Sequence, residues 1–515
     1  MAAGYDVDGF FFDIFVSPPE GCFCRWCVED REKLGLDADA PMDLFRHSKI
    51  ITLRGMERLD RIIKSHKPGA LTFYNGRVHP GMRNELKYFS HLEIESLPTG
   101  GWGYDHCQIM FRYARNLGKP VVGQTGRFHR SWGDFGGVRT HVALDCDCAL
   151  MQANGLAAVG IGDHLPPRGK LEPAAYEQIS KTYHRVEENE PWCAGAKALT
   201  EIGVLMSGAC RKIPAGYTLS DQGALRMLLE LHHQFDFLDL ESDLRTYKLV
   251  ILPDECFLTP SSRDKLAEYL KNGGSLLLSG YSAMDESKRG FLLNEIGVSY
   301  VRPSAFKVDY FRAREELQEG LPRMDHMLYG QSIGVKAQAE SSVLADTVHP
   351  YFDVSKEHFV VEYYPPQKEV SEFPAVVQKG KVIYIASSIF RAYREYAYTP
   401  HRHVVSSCIH RLLPQPLVRT TASATTEITL TEQAAQKRVI VHAVHFVPEH
   451  RGTDLDFVED VFPVFDTKVE IRTAARPNQT YLAPQNHALA AHYLEPYVSF
   501  VVPEIKGHQM IVLQF

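Results

Sequence analysis

The feature that most constrains this chain is a regular alternation of short apolar strands and helical stretches over its first ~190 residues. Alternation of this kind, with short connections, is typical of a parallel β-sheet covered by helices. The pattern predicts five strands and four full helices. The strands are expected at 7–15, 70–74, 91–95, 120–124 and 156–161, and the helices at 40–67, 104–117, 140–153 and 173–188.

Polar and aromatic residues follow each of these strands at its C-terminal end. In strand order they are Asp13, Asn75-Gly76-Arg77, Glu95, Arg127-Phe128-His129 and Asp163-His164. Functional side chains at the C-terminal ends of successive parallel strands are typical of the mouth of a (β/α)₈ barrel. An open doubly wound sheet would concentrate them at a single switch point instead. The sequence therefore predicts the C-terminal part of a TIM barrel.

Five strands do not close a barrel of eight. At roughly 30 residues for each strand–helix unit of a typical ~250-residue barrel, about 100 further residues are expected upstream. The sequence is therefore interpreted as a truncated chain or a gene fragment.

Two further blocks follow this partial barrel. Strands expected at 202–207, 248–253, 275–279 and 382–387, with helices at 221–235, 260–271 and 401–412, indicate a flavodoxin-like α/β domain. The last hundred residues alternate apolar and polar positions with a period of two, which predicts a small antiparallel β-sandwich. The expected domains are 1–195, 196–414 and 415–515.

Composition argues against several classes of partner. The formal net charge is −7 and no basic stripe is present, so neither nucleic acid nor a membrane surface is an expected partner. No segment approaches the ~18 uninterrupted apolar residues of a membrane span. The N-terminal residues lack a basic region followed by an apolar one, so no signal peptide is predicted and a cytoplasmic location is expected.

Three of the ten cysteines are clustered as Cys22, Cys24 and Cys27. Thiolates two and three residues apart can converge on one tetrahedral Zn²⁺, and the absence of a neighbouring His or Glu favours a structural role. The fourth ligand is expected from Cys107, Cys146, Cys148, Cys193 or a segment upstream. The alternative is three reduced cysteines in a tight turn. No organic cofactor is expected.

Glycoside cleavage requires two carboxyl groups, one on each side of the scissile bond. Asp13 leaves an apolar strand and enters the predicted mouth; its alternatives are a solvent-exposed loop aspartate and a helix cap. In the third strand, period-two alternation directs His91, Glu93 and Glu95 into the barrel. Glu95 lies nearest the mouth and is the predicted acid/base, with Glu93 as the second choice. A shift of one residue would turn both outward.

The same strand-end loops carry residues suited to sugar binding. Aromatic rings stack on the C–H faces of sugars, and His, Arg and Asn hydrogen-bond sugar hydroxyls. Three of the four tryptophans, Trp26, Trp102 and Trp132, lie on these loops, where a structural anchor is the alternative for each. The predicted substrate-binding residues are Asn75, Glu93, Trp102, His129, Trp132 and His164.

Residues 7–27 resemble the zinc-binding loop of family 42 β-galactosidases, because Phe12-Asp13 is followed by Cys22-x-Cys24-x-x-Cys27. One departure is that Phe12-Asp13 replaces the Asn-Glu pair of that family. An aspartate after a run of phenylalanines resembles instead the nucleophile strand of α-L-fucosidases. Both traits occur together in the family 151 α-L-fucosidases and the "hypothetical glycosyl hydrolase 6" proteins, and this sequence is most similar to that group.

The resemblance implies a retaining α-L-fucosidase with Asp13 as nucleophile and Glu95 as acid/base. It also implies that the visible strands are strands four to eight, that the middle domain is an amidotransferase-like trimerisation domain, and that the protein is a homotrimer. Cys256 lacks the glycine-flanked elbow of an amidotransferase nucleophile. The alternatives are a family 42-type β-galactosidase, metal-dependent hydrolysis at the cysteine cluster, and an inactive carbohydrate-binding or assembly protein from a truncated gene.

Overall fold

The computed structural model describes residues 2–166, 168–211, 216–353, 355–357 and 365–515. Its first part alternates strands and helices as the apolar pattern predicts. The strands are β1 Gly9–Phe12, β2 Leu71–Tyr74, β3 Leu92–Ser96, β4 Val121–Gly126 and β5 Ala158–Gly162. The helices are α1 Arg25–Leu34, α2 Pro41–His66, α3 Gly103–Ala114, α4 His141–Ala153 and α5 Pro173–Cys193.

All of the strand pairs in this part are parallel. β1 pairs with β2, and β3, β4 and β5 form a second sheet in that order. The two sheets meet where the Ser90 amide, just before β3, donates a 2.8 Å hydrogen bond to the Thr72 carbonyl of β2. The C-terminal ends of the five strands therefore lie along one edge, as functional strand ends do in parallel α/β folds.

The first strand is shorter than the predicted range 7–15. The chain turns directly after β1, where Ile14 has a positive φ of 46°. Helix α1 was not predicted, because this segment is strongly charged and its buried residue is Arg31 rather than an apolar side chain.

The middle part is built on one nine-stranded mixed sheet. The helices and strands between residues 196 and 414 are, in chain order, β6 Lys197–Ala198, β7 Ile202–Leu205, α6 Ser207–Cys210, α7 Leu219–Glu230, β8 Phe235–Leu238, β9 Leu249–Leu252, α8 Pro260–Lys271, β10 Ser275–Ser279, β11 Val298–Pro303, β12 Tyr310–Ala313, β13 His326–Met327, β14 Ile333–Ala337, β15 Ser342–Val348, β16 Pro374–Lys379, β17 Val382–Ile385, α9 Ile389–Tyr396 and α10 Thr399–Leu412. β11 and β14 form a separate two-stranded sheet.

The parallel part of this sheet runs in the order β8-β7-β9-β10-β17, which is the 2-1-3-4-5 order of flavodoxin-like sheets. Four antiparallel strands, β16, β15, β12 and β13, extend it beyond β17. The predicted helix 221–235 ends earlier, at Glu230, and its last predicted residue begins β8 instead. Phe235 and Phe237 are fully buried there, so tertiary burial decides the strand.

The C-terminal part is rich in antiparallel strands. They are β18 Val418–Thr420, β19 Thr426–Gln433, β20 Arg438–His445, β21 Glu449–His450, β22 Asp456–Phe457, β23 Val464–Arg472, β24 Gln479–Ala483, β25 His487–Ala488, β26 Ala491–Leu494, β27 Tyr497–Ile505 and β28 Gly507–Gln514. A four-stranded and a six-stranded sheet enclose one apolar core. β6 pairs with β19, so the residues directly after 195 join this part rather than the middle sheet.

Within the described residues, no helix combines the length and the apolar character needed to cross a membrane.

Candidate active site

Three neighbouring strands deliver Asp13, Asn75 and Glu95 to the same edge. Phe12 of β1 is in register with Tyr74 of β2, so Asp13 and Asn75 follow their strands side by side. The backbone N–H of Asn75 also donates to the Phe12 carbonyl oxygen at 2.9 Å. Strand β3 lies next to β2, and Glu95 is its penultimate residue.

The alternation predicted for β3 is the one that the structure has. Leu92 and Ile94 are buried, whereas Glu93 and Glu95 are half-buried on the other face. Burial on one face fixes the register, because a shift of one residue would exchange the two sets. Both glutamates therefore lie on the same face of the strands as Asp13.

Asn75 lies beside both carboxyl groups predicted to do the chemistry. Its Nδ2 donates to Asp13 Oδ1 at 3.0 Å, and its side chain is close enough to Glu95 to lower the pKa of that carboxyl group. Its own Oδ1 accepts the Gly76 amide at 2.8 Å, which orients the NH₂ group towards the carboxylates. The three side chains therefore lie together, with Asn75 buried and Asp13 exposed.

The surroundings of Glu93 and Glu95 raise the pKa of both carboxyl groups. Burial raises the pKa of Glu95, and the nearby Asp13 raises it further, whereas Asn75 and His164 act in the opposite direction. Burial, together with repulsion from Glu95, raises the pKa of Glu93 to about 7. A carboxyl group whose pKa is raised keeps its proton to a higher pH than a free carboxyl group does, which suits a general acid.

Aromatic rings cover the same face of the strands, two residues before the polar side chains. Phe11 of β1 stacks on Phe73 of β2 with centroids 4.8 Å apart, and the Phe73 ring lies 4.6 Å from that of His91, which directly precedes β3. These positions precede Asp13, Asn75 and Glu93 by two, so their side chains share a face with the carboxyl groups. Phe11 is 54% exposed, so this face is open in the described chain.

Trp132 and His164 form a wall beside Glu95. Their rings stack with centroids 5.7 Å apart, and His164 is close enough to lower the pKa of Glu95. Phe128 meets both rings edge-on. The Trp132 indole N–H is buried and has no hydrogen-bond acceptor among the described residues. A bound hydroxyl group would satisfy it.

Trp102 and His129 have different surroundings from the other predicted residues. Trp102 packs on His106, which hydrogen-bonds Tyr217 of the middle part. His129 faces Phe457 of the C-terminal part, and its carbonyl accepts the Thr99 hydroxyl. The structure thus brings together Asp13, Asn75, Glu93, Glu95, Trp132 and His164, and it directs the described contacts of Trp102 and His129 elsewhere.

Comparison with known proteins gives the family. Residues 225–399 match the β-galactosidase trimerisation domain, and a search of curated proteins finds no match. The whole chain superposes on α-L-fucosidase isoenzyme 2 from Paenibacillus thiaminolyticus with a TM-score of 0.93 and 32% identity, covering 78% of that chain. The chain belongs to the family 42-like, family 151 α-L-fucosidase group of glycoside hydrolases.

Two β-galactosidases share the fold of this glycoside hydrolase at lower similarity. The enzyme from Bacillus circulans sp. alkalophilus has a TM-score of 0.65 and 13% identity, with 92% of this chain and 67% of that chain covered. The cold-adapted enzyme from Rahnella sp. R3 has a TM-score of 0.64 and 13% identity, with 92% and 68% covered. At this identity the likeness concerns the fold alone.

The sequence did not single out the buried ion pairs that hold the mouth of this glycoside hydrolase. Arg127 Nε donates to Asp163 Oδ1 at 2.8 Å and ties the loop after β4 to the end of β5. Arg139 pairs with Asp147 at 2.6 Å, and both contact Thr125 of β4. The partners are 36 and 8 residues apart, so no local pattern marks them. Their role is to position the loop that carries Trp132.

The cysteine cluster lies just after β1, where α1 begins. The sulfur atoms of Cys22, Cys24 and Cys27 are all within 4.8 Å of one another. In a tetrahedral site with zinc–sulfur bonds of about 2.3 Å, the sulfur atoms lie about 3.8 Å apart, which is within this limit. Buried Arg31 holds the loop by donating to the Cys22 carbonyl at 2.8 Å. The three thiols therefore fit three positions of a zinc site.

The four cysteines considered as a fourth ligand lie elsewhere. Cys107 is in α3, Cys146 and Cys148 are in α4, and Cys193 ends α5; all four are buried. Among the described residues, the group of converging donors contains only the three thiols.

Gly162, at the end of β5, makes room for the Trp132 ring. A Cβ atom on Gly162 would lie 2.6 Å from Trp132, whereas one on Gly160, two residues earlier in β5, would have its nearest neighbour at 3.5 Å. We expect Gly162→Ala to displace Trp132, to lower the free energy of unfolding by about 1–3 kcal/mol and to raise KM. Gly160→Ala is the matched control, which denaturation and steady-state kinetics should find close to wild type. Equal effects of the two variants would contradict this packing.

Proposed function

We propose that this protein is a retaining α-L-fucosidase. The observation that carries the proposal is the placement of Asp13 and Glu95 on either side of Asn75 at the C-terminal ends of neighbouring strands, where Asn75 donates to Asp13 and is close enough to Glu95 to affect its pKa. Similarity at 32% identity to an α-L-fucosidase supports the choice of sugar. The aspartate in place of the family 42 glutamate supports it as well.

In the proposed reaction, a carboxylate oxygen of Asp13 attacks the anomeric carbon, and the bond to the leaving oxygen breaks as Glu95 donates its proton to that oxygen. A glycosyl ester on Asp13 results. Glu95, now ionised, then takes a proton from water, whose oxygen attacks the same carbon and releases Asp13. Two inversions give net retention.

The surrounding side chains fit these roles. Asp13 is exposed at the end of its strand, and the hydrogen bond that it accepts from Asn75 holds its carboxyl group in place for attack. Burial raises the pKa of Glu95, which favours the protonated form that the first step requires. Trp132 and His164 supply a ring wall beside Glu95 for the sugar, and Glu93 offers a further hydrogen-bonding carboxyl group.

We assign the catalytic part to residues 1–195 as strands four to eight of a (β/α)₈ barrel. Residues 196–414 would form the amidotransferase-like trimerisation domain, and residues 415–515 a β-sandwich. The match of residues 225–399 to the trimerisation domain of β-galactosidases supports a homotrimer.

The three clustered thiols would hold a structural Zn²⁺ together with a fourth ligand. When bound, the ion would fix the loop that links β1 to α1, and thereby the position of Asp13. We expect elemental analysis of the purified protein to find zinc and Cys24→Ser to lower its content. Cys193→Ser removes a thiol outside the cluster and should not change it. Zinc retained in Cys24→Ser, or absent from the wild type, would contradict the site.

A family 42-type β-galactosidase is the second candidate, because the trimerisation domain match is to that class. The test compares turnover of 4-nitrophenyl α-L-fucoside with turnover of 4-nitrophenyl β-D-galactoside by the full-length protein. We expect kcat/KM to favour the fucoside by at least about tenfold, a modest difference for a pocket built around one sugar. A preference for the galactoside would move the protein to the second class.

A further inference from the structure

A cavity separate from the candidate active site lies where α4 and α5 meet the C-terminal part of the chain. Its volume is about 370 Å³, within the size range of ligand pockets. The side chains that carry the argument are Asp145, Arg185, Asn189, Phe446, Gln485 and His508. None of the candidate active-site residues lines it.

A chain of imidazoles ends at this cavity. The Thr431 hydroxyl is 2.9 Å from His442 Nε2, and His442 Nδ1 is 3.0 Å from His508 Nε2. The remaining nitrogen, His508 Nδ1, is buried without a hydrogen-bond partner among the described residues. Burial lowers the pKa of His508 to about 4, so both rings are neutral near pH 7.

The direction of this chain determines what His508 Nδ1 offers a ligand. If the Thr431 hydroxyl donates to His442 Nε2, His442 Nδ1 carries the proton and donates to His508 Nε2. His508 Nδ1 then carries the proton of its ring and is a donor. If Thr431 accepts, the order reverses and His508 Nδ1 is an acceptor. A ligand hydroxyl group satisfies either state because it both donates and accepts, whereas a carboxylate or an ammonium group satisfies only one.

The charges around the cavity are balanced. Asp145 is buried and paired with Arg185, while Glu188 and Lys506 are exposed charges of opposite sign on the rim. Asp145 Oδ1 has no hydrogen-bond partner among the described residues. The balance favours a neutral ligand, and the free carboxylate oxygen favours one with hydroxyl donors.

Paired amides line two sides of the cavity. Asn189 Nδ2 donates to Gln152 Oε1 at 3.0 Å, and Gln485 exchanges two hydrogen bonds of 3.2 Å with Gln509. These contacts hold the amide groups in place before a ligand arrives, which reduces the entropic cost of binding. Phe446 adds an apolar ring to the lining.

We propose that this cavity is a non-catalytic binding site for one neutral sugar ring. Its polyhydroxylated chemistry matches a buried imidazole that takes either hydrogen-bond role, a buried carboxylate and two sets of oriented amides beside an aromatic ring. The site would hold a second sugar of a glycan, or a released monosaccharide, apart from the carboxyl groups on β1 and β3.

The test titrates the full-length protein calorimetrically with L-fucose and, separately, with D-galactose. We expect Asn189→Ala, in α5, and Gln485→Ala, between β24 and β25, each to weaken binding of one of these sugars at this site by about tenfold. Glu187→Ala, on α5 but outside the cavity, is the matched control. Hydrogen exchange should slow in α5 and β28 when the sugar is added, and aryl-glycoside turnover should be unchanged in both amide variants.

Three results would overturn the proposal. They are the absence of any sugar-dependent protection in α5 and β28, sugar binding that neither amide variant weakens, and preferential binding of inorganic phosphate at this site. Measuring unfolding temperatures of both variants separates a binding defect from a folding defect, and the two variants alter different walls.

Discussion

Asp13→Asn in the full-length protein is expected to lower kcat for 4-nitrophenyl α-L-fucoside by at least about 10³-fold. The amide that replaces the carboxylate cannot form a stable glycosyl ester. Because Asp13 is exposed and its described contact is the hydrogen bond from Asn75, the fold should survive, and thermal unfolding should be close to wild type.

Asp8→Asn is the matched control, since Asp8 is an exposed aspartate just before the other end of β1. It should retain near wild-type turnover. Azide should restore activity to Asp13→Asn by attacking the anomeric carbon in place of the carboxylate, giving a glycosyl azide of inverted configuration. A purely structural role of Asp13 would produce no azide rescue. Retention of more than about a tenth of the activity by Asp13→Asn would contradict the nucleophile assignment.

Glu95→Gln is expected to lower kcat/KM by about 10²–10⁴-fold for fucosides with poor leaving groups, where protonation of the leaving oxygen matters most. The loss should be smaller for nitrophenyl fucosides. Wild-type activity should fall as the pH rises through the pKa of Glu95, which burial raises, because only the protonated form donates. The variant should lack this basic limb in its pH–rate profile.

Glu93→Gln is the control for this prediction, because Glu93 lies two residues earlier on the same face. Its profile should retain the basic limb. The burial that raises the pKa of Glu93 to about 7 makes it a credible competitor. If Glu93→Gln removed the limb and Glu95→Gln retained it, the acid/base would be Glu93.

Local pattern was sufficient for much of the site. The five strands of the first part and the alternation of Leu92, Ile94, Glu93 and Glu95 follow from period-two hydrophobicity, which depends only on neighbours in the chain. The side-by-side placement of Asp13 and Asn75 follows from parallel pairing of β1 and β2. These features needed no knowledge of tertiary packing.

Other features depend on contacts that no local pattern encodes. Helix α1 buries Arg31, and β8 is a strand because Phe235 and Phe237 are enclosed by neighbouring elements. His129 lies on a loop that faces Phe457 of the C-terminal part, and Trp102, directly before α3, packs on His106, which hydrogen-bonds Tyr217 of the middle part. Loop side chains take their orientation from such partners, so spacing alone did not separate them from Trp132.

The central claim is that Asp13 forms a covalent intermediate with fucose. The most direct measurement is to inactivate the full-length protein with 2-deoxy-2-fluoro-α-L-fucosyl fluoride and to map the adduct by peptide mass spectrometry. The account predicts one deoxyfluorofucosyl group per chain, attached to Asp13 and absent from the Asp13→Asn variant. An adduct on Glu93 or Glu95, or turnover of α-L-fucosides that releases the inverted sugar without any adduct, would contradict it.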